Sequence, residues 1–194
     1  MKIGLFFGSF NPIHNGHLII AQHLLNYSAI EKLWFIISPH NPLKEKASLA
    51  KDRERLHLVR LAIDENPDMR ASDIEFNLPQ PSYTIDTMAF LTEKYPQHEF
   101  SLIMGGDNLV SLPKWKNYEL LISKYPILIY KRPNYAIDTP LANHPNVHIL
   151  DTPMLDISST LVRQLITEKK SIRYLVPDVV FQYLESSNMY RPKK

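Results

Sequence analysis

Lys2-Ile3-Gly4-Leu5-Phe6-Phe7-Gly8-Ser9-Phe10-Asn11-Pro12-Ile13-His14-Asn15-Gly16-His17 is the stretch whose pattern decides the fold. Its first seven residues form a short apolar run, as expected of a strand buried on both faces of a parallel sheet. A polar turn follows. Residues 17–27 (HLIIAQHLLNY) then place apolar side chains at helical spacing. Strand, turn and helix in that order open a βαβ unit.

The alternation continues outward. Further strands are predicted at 32–38 (KLWFIIS), 70–77 (RASDIEFN), 99–104 (EFSLIM), 127–131 and 147–150. Helices are predicted at 49–65, 84–95, 118–124, 158–169 and 178–186. Asn66-Pro67 and Pro96 stop two of them. Residues 134–146 read as a mobile surface loop. The expected fold is α/β: a Rossmann-like, doubly wound, mostly parallel sheet with helices on both faces. Residues 1–194 are expected to form a single domain, with a C-terminal helical part at about 156–190. Ligands of such sheets bind at the carboxyl ends of the strands, near the switch point of the connections.

Composition narrows the chemistry. The 194 residues are 44% hydrophobic and 22% charged, ordinary for a globular chain. There is no cysteine, which excludes disulfides, thiolate metal sites and a thiol nucleophile. No apolar run is long enough to span a bilayer, and the start lacks the pattern of a signal peptide. The expected setting is cytoplasmic. A net charge of +2 is too mild to indicate nucleic-acid binding.

The turn from Gly8 to His17 sits between a strand and a helix, where unpaired amides and the positive helix end attract anions. Gly8 is expected to admit a phosphate close to the backbone, with Ser9 and Phe10 beside it. His14 and His17 are three apart, so both rings can face one ligand, and Gly16 leaves room between them. Two imidazoles there can stabilise the charge of a phosphoryl transfer. Alone, a His-x-x-His pair is more often a helix cap.

A second segment, Asp156-Ile157-Ser158-Ser159-Thr160-Leu161-Val162-Arg163, repeats that logic. Ser158 fits the N-cap of a helix, Ser159 and Thr160 place hydroxyls in its first turn, and Arg163 follows one turn on. A third cluster comprises Pro81-Ser82-Tyr83-Thr84-Ile85-Asp86-Thr87, Gly105-Gly106-Asp107 and Leu112-Pro113-Lys114-Trp115. A carboxylate after a glycine pair suits ribose hydroxyls. A tryptophan in a proline-stiffened loop offers a face for an aromatic ring, although a core role is commoner for an isolated Trp.

Gly-Ser-Phe-Asn-Pro-Ile-His-x-Gly-His and Ile-Ser-Ser-Thr-x-x-Arg resemble the two signatures of the nucleotidylyltransferase superfamily. With Pro-Ser-Tyr-Thr-x-Asp-Thr and Leu-Pro-x-Trp added, the chain resembles bacterial nicotinate-nucleotide adenylyltransferases from about residue 2 to residue 190. The resemblance implies transfer of AMP from ATP to nicotinate mononucleotide, with Mg²⁺ accompanying ATP and no metal held by the protein itself. It implies catalytic roles for His14, His17, Lys44 and Arg163. It implies ATP contacts at Gly8, Ser9, Phe10, Gly105, Asp107, Ile157, Ser158, Ser159 and Thr160, and acceptor contacts at Thr84 and Trp115. The family usually shows Pro-Pro-His-Lys where this chain has Asn41-Pro42-Leu43-Lys44, so the lysine is kept and its neighbouring histidine is not; His40 has no assigned role. Asn11 stands where Asp is common, and Phe7 where a glycine is. Alternatives are a sister enzyme acting on nicotinamide mononucleotide or phosphopantetheine, and a nucleotide sensor that binds ATP without chemistry.

Overall fold

The computed structural model describes residues 1–39, 49–133 and 135–191. Strands β1 (Lys2–Gly8), β2 (Lys32–Ile37), β3 (Met69–Ser72), β4 (Glu99–Gly105), β5 (Ile127–Tyr130) and β6 (Val147–Leu150) form one parallel sheet in the order β3-β2-β1-β4-β5-β6. From β1 the chain moves outward through β2 and β3. It then returns to β4, on the other side of β1, and moves outward again. The connections therefore diverge between β1 and β4, where a crevice opens at the carboxyl ends. Gly8 and Gly105, which end those two strands, both border it.

The helices are α1 (Asn15–Tyr27), α2 (Asp52–Ile63), α3 (Thr84–Lys94), α4 (Gly106–Ser111), α5 (Tyr118–Lys124), α6 (Ser159–Thr167) and α7 (Asp178–Ser186). Successive strand residues point to opposite faces, so apolar runs build two cores at once. Phe6, Leu33, Phe35, Ile37, Ile103 and Leu128 pack with Ile20 and Leu24 of α1, Leu56 and Val59 of α2, Val162 of α6 and Val180 of α7. Ile3, Leu5, Ile36, Leu102, Met104 and Ile129 pack with Met88 and Leu91 of α3, Leu109 of α4 and Leu121 of α5. Each fully buried Leu, Ile or Phe contributes roughly 1.5–3 kcal/mol by leaving water.

Three segments depart from expectation. The predicted strand 70–77 ends at Ser72, and Ile74–Asn77 turns into a 3₁₀ helix. The last pair of that ladder is Ile36 with Ser72, where β3 leaves the sheet. The alternating pattern is then satisfied by a turn that buries Glu75. Helix α4 and the 3₁₀ turn Leu112–Lys114 fill a stretch that reads as a connection, because it is short and contains Pro113. Within 134–146, Pro140–Asn143 forms a capped 3₁₀ turn whose Leu141 and Ala142 pack on the second core. Asn146 Nδ2 donates to the carbonyls of Ile122 and Ser123 at 2.9 and 3.0 Å, tying the end of this segment to α5.

Candidate active site

Gly8 ends β1 beside the ring of Phe10. A Cβ at position 8 would come within 2.8 Å of that ring. The glycine thus makes room for Phe10, a packing reason beside the expected one. Phe10 is buried, adopts φ 44°, and meets Phe6, Phe35 and His17 edge-on. A bulky residue in the left-handed region is costly, and the packing of its ring holds it there.

The rings of His14 and His17 stack, with centroids 3.7 Å apart. The His14 amide donates to His17 Nδ1 at 3.3 Å, which leaves the His17 proton on Nε2. His14 is buried, and its Nδ1 has no hydrogen bond among the described residues. Burial, and next the charge of Arg132, lower its pKa to about 4. His14 is therefore a neutral imidazole at pH 7, one that can donate a hydrogen bond but carries no charge of its own. Gly16 has the expected role: a Cβ there would stand 3.0 Å from His14 Nδ1. The start of α1 offers fewer amides than expected. The Asn15 amide donates to the Leu175 carbonyl and its side chain to the Tyr174 carbonyl, both at 2.8 Å.

The second motif is fastened to the first. Ser158 caps α6 by accepting from the Leu161 amide at 3.1 Å. Ser159 Oγ donates to the Pro12 carbonyl at 2.8 Å. Arg163 Nη1 donates to the Asn11 carbonyl at 2.8 Å, and Nη2 to Thr160 Oγ1 at 3.3 Å. Ile157 lies against Gly16, its Cβ 3.6 Å from where a Cβ would project. The first amides of α6, at Ser159 and Thr160, have no partner within the helix. Asn11 Oδ1 accepts from the Ala50 amide at 3.1 Å and from the Tyr190 hydroxyl at 2.8 Å, which pins the motif to the end of the chain as well.

Asp107 lies in the first turn of α4, and its Oδ2 accepts from Arg132 Nη1 at 3.2 Å. A Cβ on Gly105 would collide with the Asp107 carboxylate, and one on Gly106 with Ile137, which explains the glycine pair. Arg132 was not expected from the sequence. It follows β5, whose neighbour in the sheet is β4, so its guanidinium reaches the crevice near His14 and Asp107. The signal was a basic pair, Lys131-Arg132, directly after a fully apolar strand, ILIY.

Thr84 begins α3 on the other side of the crevice. Lys116 joins the Trp115 loop to that helix start: its ammonium bonds Asp86 at 2.8 Å and lies 4.7 Å above the Tyr83 ring. The segments bearing Thr84 and Trp115 are thus brought together. Trp115 itself is half-buried against the second core, and its indole nitrogen is buried with no acceptor among the described residues. Its ring is less open than a loop tryptophan flanked by lysines leads one to expect.

Arg55 was also missed, since an arginine in a charged amphipathic helix reads as surface. It is fully buried. Its guanidinium donates to the carbonyls of Ser9, Ala50 and Pro39 and to Asp52 Oδ1. Lys44 and His40 lie outside the described residues.

A family model described as cytidylyltransferase-like matches residues 5–165. A sheet that diverges between β1 and β4, with two phosphate-type motifs locked together at its carboxyl end, defines a nucleotidyltransferase. A relative in Flavobacterium psychrophilum, named "Probable nicotinate-nucleotide adenylyltransferase", is 52% identical over 192 residues, covering 98% of this chain and 100% of its own. One of the same name in Flavobacterium johnsoniae is 48% identical with the same coverage. The chain belongs to the nicotinate-nucleotide adenylyltransferase family. Its fold superposes on Plasmodium falciparum nicotinic acid mononucleotide adenylyltransferase complexed with NaAD, with a TM-score of 0.82 and 21% identity over 97% of each chain.

Proposed function

We infer that this chain transfers AMP from ATP to nicotinate mononucleotide, giving nicotinate adenine dinucleotide and pyrophosphate in NAD biosynthesis. The observation that carries this is the joining of both phosphate motifs at one crevice, with Thr84 and Trp115 across from them, in a chain whose relatives bear that name. An oxygen of the acceptor phosphate attacks the α-phosphorus of ATP in line. That P–O bond forms as the bond from the α-phosphorus to the bridging oxygen of the β-phosphate breaks. The electron pair leaves with pyrophosphate. A phosphate monoester is largely dianionic at neutral pH, its second pKa being about 6, so no protein base is needed. Catalysis is positioning and charge stabilisation.

His17 donates from Nε2 and His14 from a neutral ring, both toward the reacting phosphates. Arg163 and Arg132 supply positive charge, and the first amides of α6 receive phosphate oxygens. Lys44 is assigned to the same phosphates on the family resemblance. Asp107 takes the ribose end of ATP. Mg²⁺ enters as part of the ATP complex, held by phosphate oxygens and water. Thr84 and Trp115 take the nicotinate ring and its carboxylate. An ATP-consuming reaction and a chain without cysteine fit the cytosol. No described helix is long and apolar enough to cross a membrane.

Pyrophosphate release from ATP, with nicotinate mononucleotide, nicotinamide mononucleotide and phosphopantetheine as separate acceptors, tests the assignment. Fastest turnover with the nicotinate compound is expected. Release with none of them would leave a nucleotide-binding protein without this chemistry.

A further inference from the structure

Glu75 is a buried carboxyl with no part in the scheme above; it is 2% exposed. Burying a carboxyl is costly unless its oxygens are used. Here Oε1 accepts from the Thr87 hydroxyl at 2.7 Å. The hydroxyls of Ser38 and Ser82 also face it. Burial pushes its pKa up, and the three hydroxyls oppose that shift by favouring the charged form.

These partners have meaning by their places in the fold. Ser82 and Thr87 lie on either side of Thr84, one before α3 and one in its first turn. Ser38 directly follows β2, and its amide donates to the Gly8 carbonyl at 3.0 Å. The Gln80 side chain also donates to the Glu75 carbonyl at 2.8 Å, so the turn before α3 is held twice. The cap residue of α3, Tyr83, makes no side-chain bond, and its carbonyl receives the amides of Asp86 and Thr87. The amides of Thr84 and Ile85 have no partner within the helix.

We propose that Glu75 is a positioning residue for the acceptor: its carboxyl fastens the first turn of α3, through Thr87, to the 3₁₀ turn that follows β3. With the Gln80 bond to the Glu75 carbonyl, this holds the segment before Thr84 and the turn after it to one anchor. It sets the position of the amides that meet the acceptor carboxylate. An apolar residue of similar volume would serve packing alone at less cost. The carboxyl is what accepts from Thr87, and its Oε2 is buried with no hydrogen bond among the described residues.

The role rests on the acceptor assigned above, and its test separates the two. Michaelis constants for ATP and for nicotinate mononucleotide are measured from pyrophosphate release in the parent, Glu75→Ala, Glu75→Gln and Thr87→Val, with a melting curve for each. The acceptor constant is expected to rise roughly tenfold in Glu75→Ala and Thr87→Val, about the effect of one charge-assisted hydrogen bond. The ATP constant should stay within about twofold, well inside that effect. Glu75→Gln still accepts from Thr87 and should fall between. Equal shifts in both constants, or lower melting temperatures with an unchanged acceptor constant, overturn the role. If Glu75→Ala does not fold, Thr87→Val decides alone. A parent inactive with this acceptor overturns the acceptor assignment and the Glu75 role with it; an active parent with unshifted variants overturns Glu75 alone.

Discussion

Arg163 and Asn11 stand 152 residues apart in the chain and meet at 2.8 Å, the guanidinium in α6 donating to the carbonyl in the loop that opens α1. One cation thus holds the loop and, on the assignment proposed above, also meets the ATP phosphates. A planar fork can do both at once, and an ammonium cannot. Arg163→Lys should weaken ATP and pyrophosphate roughly tenfold, the scale of one hydrogen bond to a charged group. Calorimetric titration of each checks this. Unchanged affinity would leave Arg163 with loop fastening alone.

His17 makes a different prediction. Its Nε2 proton is fixed by the bond that Nδ1 accepts, so it is a preoriented donor. Losing such a donor costs about 3–4 kcal/mol in the transition state. His17→Ala should therefore lower turnover by more than a hundredfold, about 2.7 kcal/mol or more, while ATP binding changes little. Turnover close to the parent's would remove His17 from the chemistry.

His14 links the site to pH. Its ring is neutral in the folded chain down to about pH 4, whereas a free imidazole titrates near 6.5. Above pH 6.5 neither state holds the proton and the group contributes no pH dependence. As pH falls from there, the unfolded chain binds a proton that the folded chain refuses, so stability is lost. Each pH unit of that interval costs about 1.4 kcal/mol, which sums to about 3 kcal/mol. Denaturant unfolding at several pH values, for the parent and His14→Gln, should show a steeper acid loss in the parent. Parallel curves would mean that the ring protonates freely.

Trp115 sits partly in the second core, so Trp115→Ala should do two things. Stability should fall by about 3–5 kcal/mol if the ring is fully used in packing, and by less for a half-buried one. The acceptor Michaelis constant should rise about tenfold if the indole also stacks on the pyridine ring, since such stacking is worth roughly 1–3 kcal/mol. Trp115→Phe separates the effects, keeping an aromatic face and most of the packing. Lost stability with no selective acceptor defect in either variant would assign Trp115 to the core.

The sheet was legible because its strands are apolar on both faces and its helices carry an apolar stripe; periodicity alone gives both. Both phosphate-type motifs were legible as strings, and the structure brings them into contact. What escaped depends on contacts distant in sequence. Arg55 looks like any exposed arginine of α2 until Ser9 and Pro39 are folded over it. Arg132 acquires a place in the site only because β5 lies beside β4. Glu75 alternates as the wet face of a strand, but β3 leaves the ladder at Ser72 and the 3₁₀ turn that follows buries it beside Thr87.

The sheet has a further consequence. The helices that bear His17 and Arg163 lie in one layer, and those that bear Thr84 and Asp107 lie in the other. On the assignment proposed above, the layer with α1 and α6 handles phosphates, which every acceptor of this chemistry carries. In the opposite layer, Asp107 takes the ribose of ATP, and α3 with the Trp115 loop meets what is particular to one acceptor. Substitutions that retune selectivity can therefore accumulate in α3 and the loop after α4 without touching the packing beneath His17 and Arg163. Such an enzyme can diverge toward new acceptors one layer at a time while its reaction is inherited intact.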